Sequence, residues 1–223
     1  MNTDAGKTKE ELIAYGKKIV ASGLVAGAGG NISARCGKII YLSASGIALD
    51  EMAEEDWVGV DIDSAGIVDG NSKPTSETAL HLACYRKRED VHAIVHTHSP
   101  WAGGVISSGI TMNPMFPEFV CDINRVAHIG YVVPTTQKLA DAVAGVIDDN
   151  EVILMSNHGV LAVGKTLKEA YYRNLIIEDA AKSLVAASIV GKPRFLTKEE
   201  IEEIRNLDST AYRRDIASNS PDK

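Results

Sequence analysis

Hydrophobic side chains recur with helical spacing in several segments of the chain, and these segments predict the helices of the fold. The first covers residues 9–21, where Thr8 and Glu11 have the spacing of a capping box. The longest covers residues 167–188, where Thr166 and Glu169 repeat that spacing. Helices are also predicted for residues 74–88 and 137–147, with a short one after Thr197.

Short apolar runs bounded by turn residues predict strands between these helices. Several follow one another closely enough to form hairpins, and a glycine-rich loop precedes the first of them. Hairpins alternating with helices indicate an α+β or α/β fold with a mostly antiparallel sheet, in one domain over residues 1–223. The predicted strands are residues 39–42, 57–62, 67–68, 93–96, 152–156 and 160–163.

Composition and charge narrow the class of protein. The chain of 223 residues is 45% hydrophobic and 24% charged, which is typical of a globular protein. Its net charge of −7 and the lack of a basic stripe argue against a nucleic-acid partner. The three cysteines are scattered, so we expect a reducing cytoplasm and no disulfide framework. The sequence predicts neither a signal peptide nor a membrane-spanning segment.

Three histidines that follow apolar runs indicate a metal site. His96 and His98 are two residues apart at the end of a predicted strand, where alternate side chains share a face. His158 follows a second predicted strand and precedes a turn. Three imidazoles with an open coordination position are typical of catalytic zinc, although manganese, iron or cobalt would also suit them. The alternative to a metal site is that the histidine pair is an ordinary polar end of a strand.

Glu77 is the candidate acid–base group beside this site. It lies in the first turn of a predicted helix, where a carboxylate can also be a simple partner of the helix dipole. Near a metal it could transfer protons or occupy the open coordination position. The other histidines have no such context: His92 is predicted to face solvent, and His81 and His128 are predicted to be structural or surface residues.

Three segments are candidates for binding an anion such as a phosphate. The loop at residues 27–31 is preceded by a helix rather than a strand, which excludes a dinucleotide fingerprint and leaves a flexible turn or an anion-binding nest. The second segment, residues 43–46, has small and hydroxyl residues in a turn. The third, residues 75–76, has hydroxyl residues at the start of a helix, where the alternative is simple N-capping. The candidate residues are Gly30, Asn31, Ser45, Gly46, Thr75 and Ser76.

Together these motifs resemble the class II aldolase and adducin family in both order and spacing. The resemblance runs from the first helix to about Ser188, and the ordered set is specific although each motif alone is weak. The motifs are Gly30-Asn31-Ile32-Ser33, Ser45-Gly46-Ile47, Pro74-Thr75-Ser76-Glu77, His96-Thr97-His98-Ser99 and Asn157-His158-Gly159.

The resemblance implies a three-layer α/β/α fold and a four-fold symmetric homotetramer with active sites between subunits. It implies that His96, His98 and His158 bind zinc, and that Glu77 binds the metal in the empty site and handles protons during turnover. The six anion-binding candidates match the phosphate-binding positions. The implied reaction is retro-aldol cleavage of a ketose 1-phosphate to dihydroxyacetone phosphate and an aldehyde, without a Schiff-base lysine.

One departure from the family pattern concerns the aldehyde end of the substrate. The sugar aldolases of the family usually supply a tyrosine from a neighbouring subunit, but the corresponding segment here has Glu118 instead. In this respect the chain resembles a dehydratase branch of the family that acts on methylthioribulose 1-phosphate and has a glutamate there. The alternative is that Glu118 is an exposed loop residue without a catalytic role. Tyr212 matches a C-terminal tyrosine of the aldolases. A dehydratase, a decarboxylase and a non-catalytic adducin-like module therefore remain alternatives.

Overall fold

An eight-stranded sheet with helices on both faces forms the framework of the protein, and the computed structural model describes residues 3–219. The strand order is β4-β3-β2-β1-β5-β8-β7-β6. The strands are β1 (Asn31–Cys36), β2 (Ile39–Ser43), β3 (Trp57–Asp61), β4 (Ile67–Asp69), β5 (Ala93–Thr97), β6 (Val126–Ile129), β7 (Val152–Met155) and β8 (Gly159–Gly164).

Between residues 3 and 219, eight α-helices connect or cover these strands. Two predicted N-caps are confirmed, because Thr166 accepts a hydrogen bond from the Glu169 amide and Thr197 accepts one from the Glu200 amide. The helices are α1 (Thr3–Ala21), α2 (Thr78–Lys87), α3 (Pro100–Ser107), α4 (Pro117–Asp122), α5 (Gln137–Ala144), α6 (Leu167–Val190), α7 (Lys198–Arg205) and α8 (Asp208–Asn219).

The sheet is mixed, which corrects the expectation of a mostly antiparallel one. Neighbouring strands pair antiparallel from β4 across to β7. At the edge, β6 pairs parallel to β7. This pairing is possible because α5 lies between the two strands in sequence and returns the chain to the starting end of the sheet. The parallel strand was not predicted, because β6 has only four residues and one of them is the polar His128.

Alternate residues of each central strand pack into different cores, so the helices form layers on the two faces of the sheet. In β5, Ile94 packs with α2 and α5, whereas Val95 packs with α1 and α6. In β8, Leu161 packs on the α2 face and Ala162 against α3 and α6. This two-residue period fixes which side chains can meet α2, and the candidate site depends on it.

The first helix begins earlier than its capping pattern predicted. It starts at Thr3, so Thr8 is inside the helix and its hydroxyl donates to the Asp4 carbonyl rather than capping an N-terminus. The predicted capping box with Glu11 is therefore wrong, because a hydroxyl inside a helix can bond back to the preceding turn. No helix within residues 3–219 is both long and apolar enough to cross a membrane.

Candidate metal and anion site

The strand register brings the predicted metal ligands together at one end of the sheet. His96 is paired with Asn31 of β1 on one side and with Leu161 of β8 on the other, and it shares the α2 face with Ile94. His98 follows the end of β5, and His158 lies in the turn between β7 and β8. Because β8 adjoins β5, that turn places His158 beside the histidine pair.

The imidazoles converge with Glu77 on a common point. His96 Nε2 lies 3.2 Å from His158 Nε2 and 3.1 Å from Glu77 Oε2, and His158 Nε2 lies 3.2 Å from Glu77 Oε1. The His98 ring centroid is 5.0 Å from that of His96 and 5.4 Å from that of His158. One ring nitrogen from each histidine falls within 4.8 Å of the others. The site therefore has the donors of a divalent-metal centre.

The donor set fits a tetrahedral ion. Ligands about 2.0–2.1 Å from a zinc ion are separated from each other by about 3.3 Å. The 3.1–3.2 Å separations among His96, His158 and Glu77 are close to this value, and the His98 nitrogen lies within 4.8 Å of the other two histidine nitrogens. His96 Nδ1 lies 3.0 Å from the Val160 carbonyl, so it carries the proton and leaves a lone pair on Nε2. Within residues 3–219, the buried atoms Glu77 Oε1 and His158 Nδ1 have no hydrogen-bond partner. A cation would satisfy the carboxylate oxygen.

Electrostatics keep the ligands in the protonation states that a metal needs. Burial alone would raise the pKa of Glu77, but the nearby His96 and His158 imidazoles and a hydrogen bond from Asn31 hold that pKa well below its usual range. Burial, together with the neighbouring His96 and His158, lowers the pKa of His98 to about 4. At neutral pH, Glu77 is therefore ionised and His98 is neutral.

Glycines permit the close packing around the histidines. Gly30 has φ +71°, and a Cβ there would lie 2.8 Å from the His96 carbonyl. A Cβ on Gly159 would lie 2.2 Å from the Thr97 carbonyl and 3.2 Å from the His98 ring. Backbone atoms cannot yield to such contacts without moving the strand end, so both positions require glycine.

Gly159→Ala should destabilise the fold and weaken metal binding, because the new methyl would displace Thr97 and His98. We expect the free energy of unfolding to fall by about 1–3 kcal/mol, the usual cost of overpacking. Urea unfolding of the metal-free protein measures this cost, and a metal titration measures the displacement of the ligands.

Gly104→Ala is the matched control, since an added Cβ in α3 meets nothing within 4 Å. Alanine in a helix is favoured over glycine by about 0.5–1 kcal/mol, so this variant should be slightly more stable than the parent. Equal stability of the two variants would show that Gly159 does not constrain the histidine segment.

A cavity of about 210 Å³ lies beside the histidines and contains all the anion-binding candidates in its wall. His98, His158 and Glu77 line it on the metal side. Pro134 and Thr135 also line it, although no sequence pattern indicated a role for them there. The predicted candidates in its wall are Gly30, Asn31, Ser45, Gly46, Thr75 and Ser76.

Backbone pairing brings two of the anion-binding segments together. Ala44 and Pro74 form an isolated antiparallel bridge, and the Ser45 amide donates to the Lys73 carbonyl at 2.8 Å. The Thr75 hydroxyl accepts a hydrogen bond from the Glu77 amide at 3.3 Å. The turn after β2 and the start of α2 therefore face the same cavity as one polar surface.

A buried polar network behind Glu77 was missed by the sequence analysis. His81 is fully buried, with Nε2 2.6 Å from Asn31 Oδ1 and Nδ1 2.7 Å from the Ser33 hydroxyl. Ser33 also contacts the Tyr85 hydroxyl at 2.9 Å. The alternative that His81 is a surface residue is wrong. The spacing of Glu77, His81 and Tyr85, four residues apart, places them on one helix face and was the available signal.

Acid should destabilise the metal-free protein, partly because His81 folds in its neutral form. Burial lowers its pKa from 6.5 to about 3. Between these values the unfolded chain binds a proton that the folded chain excludes, so stability falls as pH falls. His81 contributes at most about 1.4 kcal/mol per pH unit. Urea unfolding from pH 7.5 to 4.5 should give a shallower pH slope for His81→Gln, and an unchanged slope would contradict this.

Buried polar groups of α6 hold the segment that carries His98. Asn174 accepts a hydrogen bond from the Thr97 hydroxyl at 2.7 Å and donates to the Val95 carbonyl at 2.9 Å. The Glu178 carboxylate accepts from the amides of Trp101 and Ala102 at the start of α3. These contacts fix the path of the chain on both sides of His98, and the sequence analysis did not identify them.

Two predicted catalytic residues do not join the cavity within this chain. Glu118 is exposed on α4, where it lines an apolar groove with Phe116, Phe119 and Ile176. Tyr212 is on α8 and is 67% exposed. Neither residue lines the cavity that holds the histidines and Glu77.

The chain is similar to known proteins over most of its length. A model of the Class II Aldolase and Adducin N-terminal domain matches residues 10–185. A 5-deoxy-D-ribulose 1-phosphate aldolase from Bacillus thuringiensis is 36% identical over 200 residues, covering 89% of this chain and 93% of the relative. A 3-oxo-tetronate 4-phosphate decarboxylase from Haemophilus influenzae is 27% identical over 205 residues, covering 89% and 96%.

A solved structure also matches nearly the whole fold. An L-fuculose 1-phosphate aldolase superposes with a TM-score of 0.81 at 32% identity, covering 89% of this chain and 94% of that chain. The chain thus shares its overall fold with a solved L-fuculose 1-phosphate aldolase. The chain belongs to the class II aldolase and adducin family, among its aldolase-type lyases.

Proposed function

We propose that the protein is a divalent-metal-dependent lyase that cleaves a ketose 1-phosphate to dihydroxyacetone phosphate and an aldehyde. One observation supports this proposal: a three-histidine cluster with a buried carboxylate adjoins a cavity whose remaining wall contains the three candidate anion-binding segments. A cavity of about 210 Å³ suits a small substrate whose phosphate is close to its reacting carbonyl.

His96, His98 and His158 would hold the metal, with Glu77 as an additional ligand when substrate is absent. A bound divalent ion supplies Lewis acidity that stabilises negative charge developing on a carbonyl oxygen. We propose zinc, since three neutral imidazoles and a carboxylate are ligands that suit it, with manganese, cobalt and iron as alternatives.

The phosphate would bind to Gly30, Asn31, Ser45, Gly46, Thr75 and Ser76. The chain carries a net charge of −7, so its overall field repels an anion and the attraction has to be local. Backbone amides, hydroxyls and the start of α2 provide hydrogen-bond donors without adding a formal charge.

Glu77 would transfer the proton at the carbon next to the carbonyl. Its carboxylate is ionised in the resting protein, with both oxygens directed at the histidine cluster and one also bonded to Asn31. After carbon–carbon cleavage, the carbon that has lost the aldehyde needs a proton. Glu77, ionised at rest, would take up a proton from solvent when substrate binds and deliver it to that carbon, while the proton lost by the substrate hydroxyl returns to solvent through the group at the aldehyde end.

Glu118 and Tyr212 would act in the site of a neighbouring subunit of a four-fold symmetric tetramer. Both are exposed in the single chain and lie outside its own cavity, so they are available to another copy. In that position Glu118 would transfer a proton at the aldehyde end of the substrate, and Tyr212 would contact the same end.

A dehydratase or decarboxylase acting on a related sugar phosphate is the second candidate. Glu118 favours it, because this position carries a carboxylate where the family's aldolases usually have a tyrosine. The Haemophilus influenzae relative named as a decarboxylase shows that the family includes such chemistry. A non-catalytic module is disfavoured, because a scaffold has no need of converging metal ligands.

A product assay tests the proposal. Metal-loaded protein incubated with a panel of ketose 1-phosphates should release dihydroxyacetone phosphate, read with a coupled enzyme, and adding a chelator should abolish the release. Mass spectrometry of the same mixtures separates the candidates, because dehydration keeps every carbon in one molecule and decarboxylation releases carbon dioxide. Full metal occupancy without any triose phosphate would overturn the aldolase proposal.

A further inference from the structure

A line of buried hydrogen bonds extends from the proton-transferring carboxylate into the core. Asn31 Nδ2 donates to Glu77 Oε2 at 2.9 Å, and Asn31 Oδ1 lies 2.6 Å from His81 Nε2. His81 Nδ1 lies 2.7 Å from the Ser33 hydroxyl, which lies 2.9 Å from the Tyr85 hydroxyl. All five side chains are buried, so the geometry of each depends on the next.

Matching periods of a helix and a strand create this line. Glu77, His81 and Tyr85 are spaced four residues apart along α2, which corresponds to about 6 Å per step. Asn31 and Ser33 are two residues apart on β1, a step of about 6.6 Å. The two sets of side chains therefore stay in register across the gap between sheet and helix.

The donors and acceptors allow only one arrangement. The ionised Glu77 only accepts, so Asn31 presents its amide nitrogen to Glu77 and its oxygen to His81. That oxygen requires a proton on His81 Nε2, and Nδ1 of the neutral ring must then accept from the Ser33 hydroxyl. Ser33 in turn accepts from Tyr85, so every donor in the line is directed toward Glu77.

We propose that His81 is a positioning residue that fixes the orientation of the Asn31 carboxamide for both proton transfer and phosphate binding. This inference rests on the proposed function for the identity of the anion. With Oδ1 held by His81, the two hydrogens of Asn31 Nδ2 are available for Glu77 and for an anion in the adjoining cavity. A flipped carboxamide would place its oxygen against two negatively charged groups.

The competing explanation is that His81 only fills space in the core. Three substitutions separate the two. His81→Leu removes the donor, His81→Gln can replace Nε2–H with an amide N–H, and Tyr85→Phe removes a hydroxyl from the same line while sparing the bond to Asn31. If His81 only fills space, phosphate affinity should fall in proportion to the free energy of unfolding in all three variants. If His81 positions Asn31, phosphate affinity should depend on whether position 81 carries an N–H donor.

Binding of inorganic phosphate to the metal-loaded protein, measured by calorimetry alongside urea unfolding, provides the first test. We expect His81→Leu to weaken phosphate binding by about tenfold or more, the effect of losing one hydrogen bond to a charged group. His81→Gln should recover most of it, and Tyr85→Phe should stay within about threefold of the parent. Wild-type phosphate affinity in folded His81→Leu would overturn the inference. So would phosphate affinities that fall across the three variants only in proportion to their free energies of unfolding.

Nitrogen NMR of the histidine side chains tests the same inference without any ligand. One of the six histidines should remain neutral with its proton on Nε2 from pH 8 to pH 5, and its signals should vanish in His81→Gln. A proton on Nδ1 would overturn the inference, because His81 could not then donate to Asn31. If the parent binds no phosphate, the proposed function fails, whereas this tautomer still decides the role of His81.

Discussion

His96→Ala is expected to abolish catalysis and to lower metal occupancy far below one ion per chain. His96 is buried and lies within 3.2 Å of both Glu77 and His158, so its loss removes a donor at the centre of the cluster. Lewis-acid stabilisation contributes several kcal/mol, so activity should fall by more than about 10³-fold. Elemental analysis of the dialysed protein and the product assay measure the two effects.

His92→Ala provides the matched control, because His92 is exposed and precedes the first residue of β5. It removes the same type of side chain from the same segment and should leave metal content and activity unchanged. If both variants kept their metal, the three-histidine centre would be refuted; if both lost it, the effect would reflect damage to β5.

Glu77→Gln is expected to retain metal in part but to slow turnover by about 10² to 10⁴-fold, the usual contribution of a positioned acid–base group. The amide keeps the shape of the side chain and can still contact Asn31, but it cannot accept and return a proton. Steady-state kinetics at saturating metal should place the loss in kcat rather than KM. Exchange of a dihydroxyacetone phosphate proton with deuterated water should slow by a similar factor.

Glu89→Gln removes a carboxylate from an exposed position just beyond the other end of α2 and is the control. It should retain full activity. Unchanged proton exchange in Glu77→Gln would remove Glu77 from the mechanism, even if overall turnover were lower.

The parts of the site that could be predicted from sequence are those fixed by short-range geometry. Alternation along a strand correctly indicated that His96 shares its face with residues two positions away. The turn after Met155 likewise placed His158 at a strand end. Local backbone structure determines where these histidine side chains lie in their own segments. They could therefore be proposed as metal ligands without knowledge of the strand order.

The remaining parts depend on pairing between distant segments. His81 looked structural because nothing in its own helix indicates that β1 passes opposite it with Asn31 and Ser33 in register. The parallel pairing of β6 and the short helices α3 and α4 have too few residues to set up a period. Glu118 was identified only by resemblance, and a single chain cannot bring it to its cavity.

The separation between buried His96 and Glu77 and exposed Glu118 and Tyr212 has a consequence for evolution. Substitutions at His96, at Glu77 or in the polar network behind Glu77 disturb the core, so few of them leave a folded protein. Substitutions at exposed helix positions cost little stability, which leaves them open to selection. If Glu118 and Tyr212 contact the substrate as proposed, a lineage with this architecture can change its substrate through a few surface substitutions while it retains the metal site.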